Sequence, residues 1–333
     1  MVNKVNQKEV QKHIKFYMDN YKIYTRKLKT DNIENKDKQF IGEKNRRKCR
    51  FCGKEKGETT FRKLAHAIPE LVGNKVLISF EECDECNEIF SKLESELANY
   101  LSFDRSTMGI RGKSGIPTYK NKSGLRIEHD KEKSNRFIIQ DVIDSGNIVE
   151  DNTDNSFTIK GERSPFIPIA VYKCFVKMAL SIMPKHYLPY FWETFDWIRE
   201  EDHTLHEKIV CKVFEQFIPG AKPFNDIETV LALRKWESEE KTPFGIFVIC
   251  FGNFCYQVYL PFAGPDFYEG AQEETFKYLL FPSKYALVLP EGTTSTILRD
   301  FSSSGKVKGQ TRDITYSYDK KEILHSDFKK ESE

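Results

Sequence analysis

Residues 49–53 read CRFCG and residues 82–87 read ECDECN, so two Cys-x2-Cys pairs stand 30 residues apart. Four cysteine thiolates are a complete tetrahedral ligand set for Zn²⁺, and such a site leaves no position open for a substrate. We therefore predict that a structural zinc ion is bound by Cys49, Cys52, Cys83 and Cys86; the alternative is four unliganded thiols. A segment this short buries little apolar surface, so the ion would stabilise the fold rather than perform chemistry.

The segment between the cysteine pairs contains FRKLAHAIPELVGNK at residues 61–75. His66 with the Ile-Pro that follows, the Gly-Asn step ending at Asn74, and Asn87 after the last cysteine resemble the HNH endonuclease family, in the subgroup with two Cys-x2-Cys pairs. The resemblance covers about residues 49–100. It implies a ββα-metal fold in which His66 is the general base. It further implies that Asn74 orients the imidazole or its loop, and that Asn87 helps to hold a divalent cation.

The chemistry of phosphodiester hydrolysis requires the same residue types. A general base that works at neutral pH needs a pKa of about 6.5, which histidine provides. A divalent cation, Mg²⁺ or Mn²⁺, neutralises charge on the leaving oxygen and prefers oxygen ligands. A non-catalytic interpretation of each residue stays open: His66 as a loop histidine, Asn74 as a turn residue, and Asn87 as a helix N-cap.

One position departs from the family pattern. Many members carry an acidic metal ligand just before the catalytic histidine, where this sequence has Ala65. Asp84 and Glu94 are candidates to replace it, since Glu94 follows Asn87 by seven residues and would share its helical face. Glu70 is a weaker candidate, and all three could instead be solvated carboxylates. The ion could also be held loosely by the signature histidine and asparagine with water and phosphate.

The net charge of +2 conceals an uneven distribution. Residues 1–150 sum to about +7 and residues 151–333 to about −5. Residues 111–136 contain eight basic and three acidic side chains, with Gly, Ser and Pro between them. Such a block is typical of a solvated surface, or of a loop that contacts a DNA backbone without reading bases. In the second case the candidate phosphate contacts are Arg111, Lys113, Lys120, Lys122 and Arg126.

We predict an α+β protein in three parts. The parts are a basic helical N-terminal extension (1–47, with a helix over 7–29), a zinc-stapled HNH nuclease domain with its basic loop (48–142), and a separate α+β domain with an antiparallel sheet (163–333). The polar segment 143–162 marks the boundary. Apolar periodicity predicts a further helix of about four turns that starts at the second cysteine pair and runs to about residue 101, and two more over 168–183 and 187–199. Strands are expected at 76–80, 245–250, 254–260, 278–281, 285–289 and 307–318, with a hairpin at Gly252-Asn253.

The sequence also indicates a compartment. No stretch is apolar enough to span a membrane, and residues 1–20 lack the apolar core of a secretory signal. We therefore expect a cytoplasmic protein with reduced thiols. Four further cysteines lie among apolar neighbours and are expected to be buried small apolar residues: Cys174, Cys211, Cys250 and Cys255.

The leading functional hypothesis is a metal-dependent DNA endonuclease, with DNA as its partner. A bacterial role in defence against foreign DNA follows only by analogy with nucleases fused to unrelated domains. The acidic C-terminal part is expected to bind a small-molecule or protein regulator, or to recruit a target. The alternative is a zinc-knuckle domain that binds nucleic acid without cleaving it, in which Ala65 marks a lost active site. The pattern favours no particular oligomeric state.

Overall fold

The computed structural model describes residues 7–129, 137–142, 144–205, 209–268, 276–284 and 294–318. Its helices are α1 Gln7–Asn20, α2 Asp84–Tyr100, α3 Ser102–Thr107, α4 Pro168–Ile182, α5 Trp192–Arg199 and α6 Gly264–Tyr268. Its strands are β1 Tyr21–Leu28, β2 Gln39–Ile41, β3 Ala65–His66, β4 Leu77–Ser79, β5 Tyr119–Lys120, β6 Arg126–His129, β7 Phe137–Gln140, β8 Ile148–Asp151, β9 Ser156–Glu162, β10 Lys212–Phe217, β11 Phe224–Arg234, β12 Gly245–Gly252, β13 Phe254–Tyr259, β14 Ser295–Asp300 and β15 Thr311–Ser317. Antiparallel sheets combined with helices confirm the predicted α+β class.

The largest sheet has six strands in the order β1-β11-β12-β13-β10-β14, each antiparallel to its neighbours. Its first strand comes from the predicted N-terminal extension, and β1 pairs with β11 along its whole length. The helix predicted over 7–29 is therefore wrong beyond Asn20. Residues 21–28 are rich in aromatic and β-branched side chains, which favour a pleated surface, and β11 offers them a strand edge.

The region of the two cysteine pairs contains a small sheet in the order β2-β4-β3. β4 lies parallel to β2 and antiparallel to β3. α2 follows β4 and has Cys83 as its N-cap, so it begins at the second cysteine pair, as predicted. Its buried face is the apolar stripe expected from the sequence: Phe90, Leu93, Leu97 and Tyr100.

α4 lies at the centre of the molecule, and all 15 of its residues are buried. It packs against α2 on one side and against β12 and β13 on another. One hydrophobic core joins Cys49 and Phe90, before the predicted domain boundary, to Phe175 and Phe247 beyond it. The division into domains stays a prediction, but the two sides of the boundary pack directly on each other. Although α4 is apolar, no helix in the described ranges is long and apolar enough to cross a membrane.

Several elements differ from the sequence prediction. The polar segment 143–162 contains two strands, β8 and β9, because Ile159 packs into a small apolar core and β15 pairs with β9. The helical stretch over 187–199 begins as a 3-10 helix, Lys185–Phe191, since Pro189 has no N–H to donate within an α-helix. Residues 278–281 form no strand, and the strand expected at 285–289 lies outside the described residues.

The β12–β13 hairpin turns at Gly252 and Asn253 as predicted, with Gly252 in the left-handed region at φ 57°. Cys250 and Cys255 lie opposite each other across this hairpin and form a disulfide. The expectation of reduced thiols is therefore wrong for this pair, because the strand register brings two buried cysteines into contact. The other two cysteines of the second half, Cys174 and Cys211, are buried as expected and form no disulfide among the described residues.

Candidate functional site

The four cysteines of the two Cys-x2-Cys pairs form one cluster. Their Sγ atoms all lie within 4.8 Å of one another, and those of Cys52 and Cys83 are 3.7 Å apart. A tetrahedral zinc ion with Zn–S bonds of about 2.3 Å separates its sulfurs by about 3.8 Å. The cluster is thus compatible with structural zinc. Within the described ranges, no other group of three or more His, Cys, Asp or Glu side chains is close enough to share an ion.

Backbone contacts support this cluster. The amide of Cys83 donates to Sγ of Cys49, and the amide of Cys86 donates to Sγ of Cys83, each at 3.5 Å. Such donors stabilise thiolates that ligate a metal. Arg50, inside the first pair, forms an ion pair with Glu81 and donates to three backbone carbonyls at the end of α4. The first cysteine pair is therefore fixed directly to α4.

His66 lies at the end of β3, opposite Ile78 of β4. Its side chain is only 15% exposed. Its Nδ1 atom is 3.9 Å from Oε2 of Glu70, which begins a short 3-10 helix after Pro69. The spacing of four residues and the turn at the proline place this carboxylate beside the imidazole.

The surroundings of His66 keep its imidazole neutral at pH 7. Burial lowers the pKa of His66, and the carboxylate of Glu70 only partly offsets this effect. Three ammonium groups lower it further, those of Lys177, Lys113 and Lys38. A neutral imidazole can accept a proton, which is what a general base must do.

A buried cluster of charged side chains contacts the backbone of His66. Lys177 of α4 donates from Nζ to the backbone carbonyl of His66 at 3.0 Å. The same Nζ lies 3.1 Å from Oε2 of Glu82 and 3.9 Å from Oε1 of Glu94. Asn87 donates from Nδ2 to the other oxygen of Glu82 at 3.1 Å. These contacts connect β3, the start of α2 and α4 in one network.

Burial and ion pairing together determine the pKa values of the charged side chains in this cluster. Burial on its own would lower the pKa of Lys177, but the carboxylates of Glu82 and Glu94 outweigh it and raise that pKa. Lys177 therefore stays an ammonium ion. Burial raises the pKa of Glu94, with Lys177 acting in the opposite direction. The ammonium of Lys177 thus lies between the carboxylates of Glu82 and Glu94, and Glu94 is one of the carboxylates that the sequence offered as a metal ligand.

Asn74 is fully buried in the turn before β4. Its Nδ2 donates to the carbonyls of Ile68 and Leu77, and its Oδ1 accepts from the amides of Val76 and Leu77. The side chain therefore holds together the loop that follows His66. In the part of the chain that the structure describes, Asn74 acts on the loop rather than on the imidazole itself.

The three acidic candidates for the missing family ligand have different surroundings. Asp84 accepts hydrogen bonds from the loop at residues 60–63, which it holds against the start of α2. Glu94 faces the ammonium of Lys177. Only Glu70, the weakest candidate by sequence, lies beside the imidazole. Within the described ranges these carboxylates and His66 do not form a group of three or more ligands close enough to share an ion, so a divalent cation here would need water or phosphate oxygens as further ligands.

Residues 111–115 of the predicted DNA-contacting loop lie beside the site, and residues 130–136 of that loop lie outside the described residues. Residues 111–115 form a turn against the 3-10 helix at Glu70, so close that a Cβ on Gly112 would lie 3.5 Å from Cα of Leu71. Lys113 on this turn is exposed and near enough to affect the pKa of His66. The other four candidates lie on this turn or on the β5–β6 hairpin: Arg111, Lys120 and Lys122 are exposed, and Arg126 pairs with Glu128.

Sequence reasoning missed Lys38, Glu82 and Lys177. Glu82 directly precedes the second cysteine pair, so its proximity to the site could have been inferred from the motif. Lys177 is 111 residues away from His66 in the chain. Its signal is a pair of lysines, Lys173 and Lys177, four residues apart in an otherwise apolar helix; buried ammonium groups need partners.

Comparison with known proteins gives a match for one segment of the chain, the segment that contains the cysteine cluster and His66. No curated protein and no solved structure matches the chain. Residues 49–102, about one sixth of the chain, match the model of a protein family described as HNH endonuclease. This segment begins at the first zinc-compatible cysteine and ends just after α2. The resemblance of this segment to the HNH endonuclease family is therefore confirmed: residues 49–102 are HNH endonuclease-like, and their four cysteines cluster as a zinc-knuckle-like site.

Proposed function

We propose that this protein is an endonuclease that hydrolyses phosphodiester bonds in DNA, with His66 as the general base. The observation that carries the proposal is a neutral imidazole with a carboxylate at Nδ1 and two exposed ammonium groups, Lys38 and Lys113, close by. The family match at residues 49–102 supports nucleic acid as the class of substrate. The order β3, β4, α2 agrees with the ββα-metal arrangement that we propose for this segment.

In the proposed reaction the exposed ammonium groups of Lys38 and Lys113 bind non-bridging phosphate oxygens. Nδ1 of His66 faces Glu70, which leaves Nε2 to take a proton from the attacking water. The water oxygen bonds to phosphorus, and the bond from phosphorus to the leaving oxygen breaks. The leaving oxygen takes a proton from solvent, and the imidazolium ion of His66 later releases its proton to solvent, which restores the base. Glu70 stabilises the imidazolium ion that forms, as a carboxylate does in other histidine-based sites.

Three further residues act by positioning. Lys177 holds the backbone carbonyl of His66, and Asn74 holds the loop that follows. Asn87 is connected to the same network through Glu82. We propose that these side chains fix the direction of the imidazole without touching the substrate.

We propose that cleavage requires Mg²⁺ or Mn²⁺ in addition to structural zinc. Such an ion would supply charge neutralisation at the leaving oxygen. Glu70 is the candidate carboxylate beside the base, and Asn87, Asp84 and Glu94 remain weaker candidates because each is engaged elsewhere. The test is cleavage by zinc-loaded protein after removal of free divalent ions, with each ion added back separately. Full activity without either ion would overturn this part.

The main test is nicking of supercoiled plasmid by the full chain and by His66→Ala. The matched control is His186→Ala, since His186 is an exposed histidine on the 3-10 helix after α4. We expect loss of nicking by at least about a hundredfold in the first variant, the usual contribution of general acid–base catalysis, and none in the second. Equal nicking by His66→Ala and wild type would refute the mechanism.

A second candidate function is nucleic-acid binding without cleavage. The observation in its favour is Ala65, a buried residue where many family members have an acidic metal ligand. Salt-dependent DNA binding together with no cleavage under Mg²⁺ or Mn²⁺ would establish this alternative over the first.

We also propose that the C-terminal part binds a small-molecule or protein regulator or a target, and that the protein acts in the cytoplasm in defence against foreign DNA. Expression of wild type and His66→Ala in bacteria challenged with phage tests the defence role. Equal plating of phage on both strains and on cells without the protein would contradict it.

A further inference from the structure

An exposed aromatic stack lies on the small sheet that carries His66. The Phe40 side chain on β2 is 53% exposed. Its ring is parallel to that of Phe80, with an interplanar angle of 3° and 5.1 Å between centroids. The guanidinium of Arg47 lies 5.2 Å from the centroid of Phe80. An open aromatic face next to a cation is the arrangement on which nucleic-acid bases stack.

The strand register places this stack on the same face as the imidazole. Phe40 is opposite Ile78 across β2 and β4, and Ile78 is opposite His66 across β4 and β3. Residues in register on neighbouring strands point to the same side of the sheet. Strands are about 4.8 Å apart, so Phe40 lies about 10 Å from His66 along the row. That distance corresponds to about three stacked nucleotides of one strand.

A basic cavity of about 770 Å³ continues from the stack. Arg47 lines it and also contacts Phe80, so the two features are continuous. Its basic side chains are Lys44, Arg47, Lys56 and Arg62, and its acidic side chains are Glu58 and Glu85.

The two acids of the cavity are already engaged. Glu85 pairs with Lys54 at 2.7 Å, and Glu58 accepts from the amide of Glu55 at 2.8 Å. By contrast, the side chains of Lys44, Lys56 and Arg62 have no carboxylate partner among the described residues. The cavity therefore presents unpaired positive charge, which complements a phosphate backbone.

We propose that Phe40 and Phe80 form a stacking platform for an unpaired base of a DNA strand whose backbone continues from His66 into this basic cavity. The proposal rests on the proposed function, since it places the strand relative to the candidate base. A single strand is the occupant because the ring needs a free base face, which a continuous duplex does not offer. None of these residues belongs to the basic loop at 111–136.

The test uses the full chain with His66→Ala, which prevents cleavage, and a short single-stranded DNA carrying fluorescent 2-aminopurine. Phe40→Ala is expected to weaken binding by about fivefold or more, as loss of one stacked base does. It is also expected to abolish the quenching of 2-aminopurine that stacking causes, and Phe40→Trp is expected to restore both. Trp192→Ala, which removes another exposed aromatic side chain, is the matched control and should change neither.

Charge in the cavity is tested by the salt dependence of binding. Arg62→Gln is expected to reduce the slope of log affinity against log salt by about 0.7, the value for one phosphate contact of a single strand, whereas Lys160→Gln, which changes an exposed lysine on β9, leaves it unchanged. Unchanged affinity and quenching in Phe40→Ala would overturn the platform even if plasmid is cleaved. Tight, Phe40-dependent binding by a protein that never cleaves would leave the platform standing and refute the endonuclease. Binding only to duplex would also overturn the platform.

Discussion

Replacement of Lys177 by methionine is expected to destabilise the protein far more than replacement of Lys173. Both lysines are buried on α4, one helical turn apart. Nζ of Lys177 lies 3.1 Å from the fully buried carboxylate of Glu82 and donates to the carbonyl of His66. Removing one partner of a buried ion pair costs about 3–5 kcal/mol, because the other charge is left buried and unpaired. That is a large share of a typical stability of about 5–15 kcal/mol.

Lys173 has a different environment. Its Nζ donates to the backbone carbonyl of Glu200 at 2.7 Å, and burial lowers its pKa to about 8. Replacing it removes one hydrogen bond but also removes the cost of burying an ammonium group. The two effects oppose each other, so we expect the free energy of unfolding to change by only about 1 kcal/mol.

The assay is urea unfolding at pH 7 of zinc-loaded wild type, Lys177→Met, Lys173→Met and the double variant Lys177→Met/Glu82→Gln. The double variant should recover part of the lost stability, because it no longer buries an unpaired carboxylate. Equal unfolding midpoints for the two lysine variants would refute the reasoning. So would a double variant that is no more stable than Lys177→Met alone.

Three further results are expected. Cys83→Ser should lose bound zinc in metal analysis and unfold at lower urea, while Cys174→Ser, which changes a buried free cysteine outside the cluster, keeps its zinc. If neutral His66 is the base, the acidic limb of the pH profile of kcat/KM should lie below pH 6.5, because burial lowers the pKa of His66; a limb above that value contradicts the assignment. Burial would raise the pKa of Glu215, but Arg163 and two further arginines lower it to about 2. Its contribution to stability, about 3 kcal/mol, is therefore complete above its unfolded pKa of about 4.5 and is lost as pH falls towards 2; Glu215→Gln should flatten that part of the stability curve, measured by urea unfolding.

The zinc cluster and the segment around it could be predicted from the sequence because their information is local. Two Cys-x2-Cys pairs carry their ligand chemistry in their spacing, and the apolar stripe of α2 follows a 3.6-residue period. The β12–β13 hairpin was visible for the same reason, in the Gly-Asn step between two β-rich runs. None of these features depends on a distant part of the chain.

The other features of the fold and of the candidate site depend on contacts between segments that are far apart in the sequence. Residues 21–28 become β1 only because β11, some 200 positions later, offers an edge, and their Lys-rich pattern resembles an amphipathic helix in isolation. Lys177 joins the candidate site only because α4 is buried against α2. The identity of the carboxylate beside His66 also depends on the folded backbone. The turn at Pro69 brings Glu70 next to the imidazole, whereas Glu94 faces the ammonium group of Lys177.

These long-range contacts argue that the candidate base and the C-terminal half form one physical unit. A fragment ending near residue 150 would lack α4, so Glu82 would lose its buried ammonium partner and the carbonyl of His66 would lose its donor. Arg50 would lose the three carbonyl acceptors that fix the first cysteine pair. Loss of activity in such a fragment would therefore reflect a damaged site. The contact of Lys177 with the carbonyl of His66 gives the proposed regulator of the C-terminal half a physical route to the site, because a shift of α4 would move Lys177 and the strand β3 that it contacts.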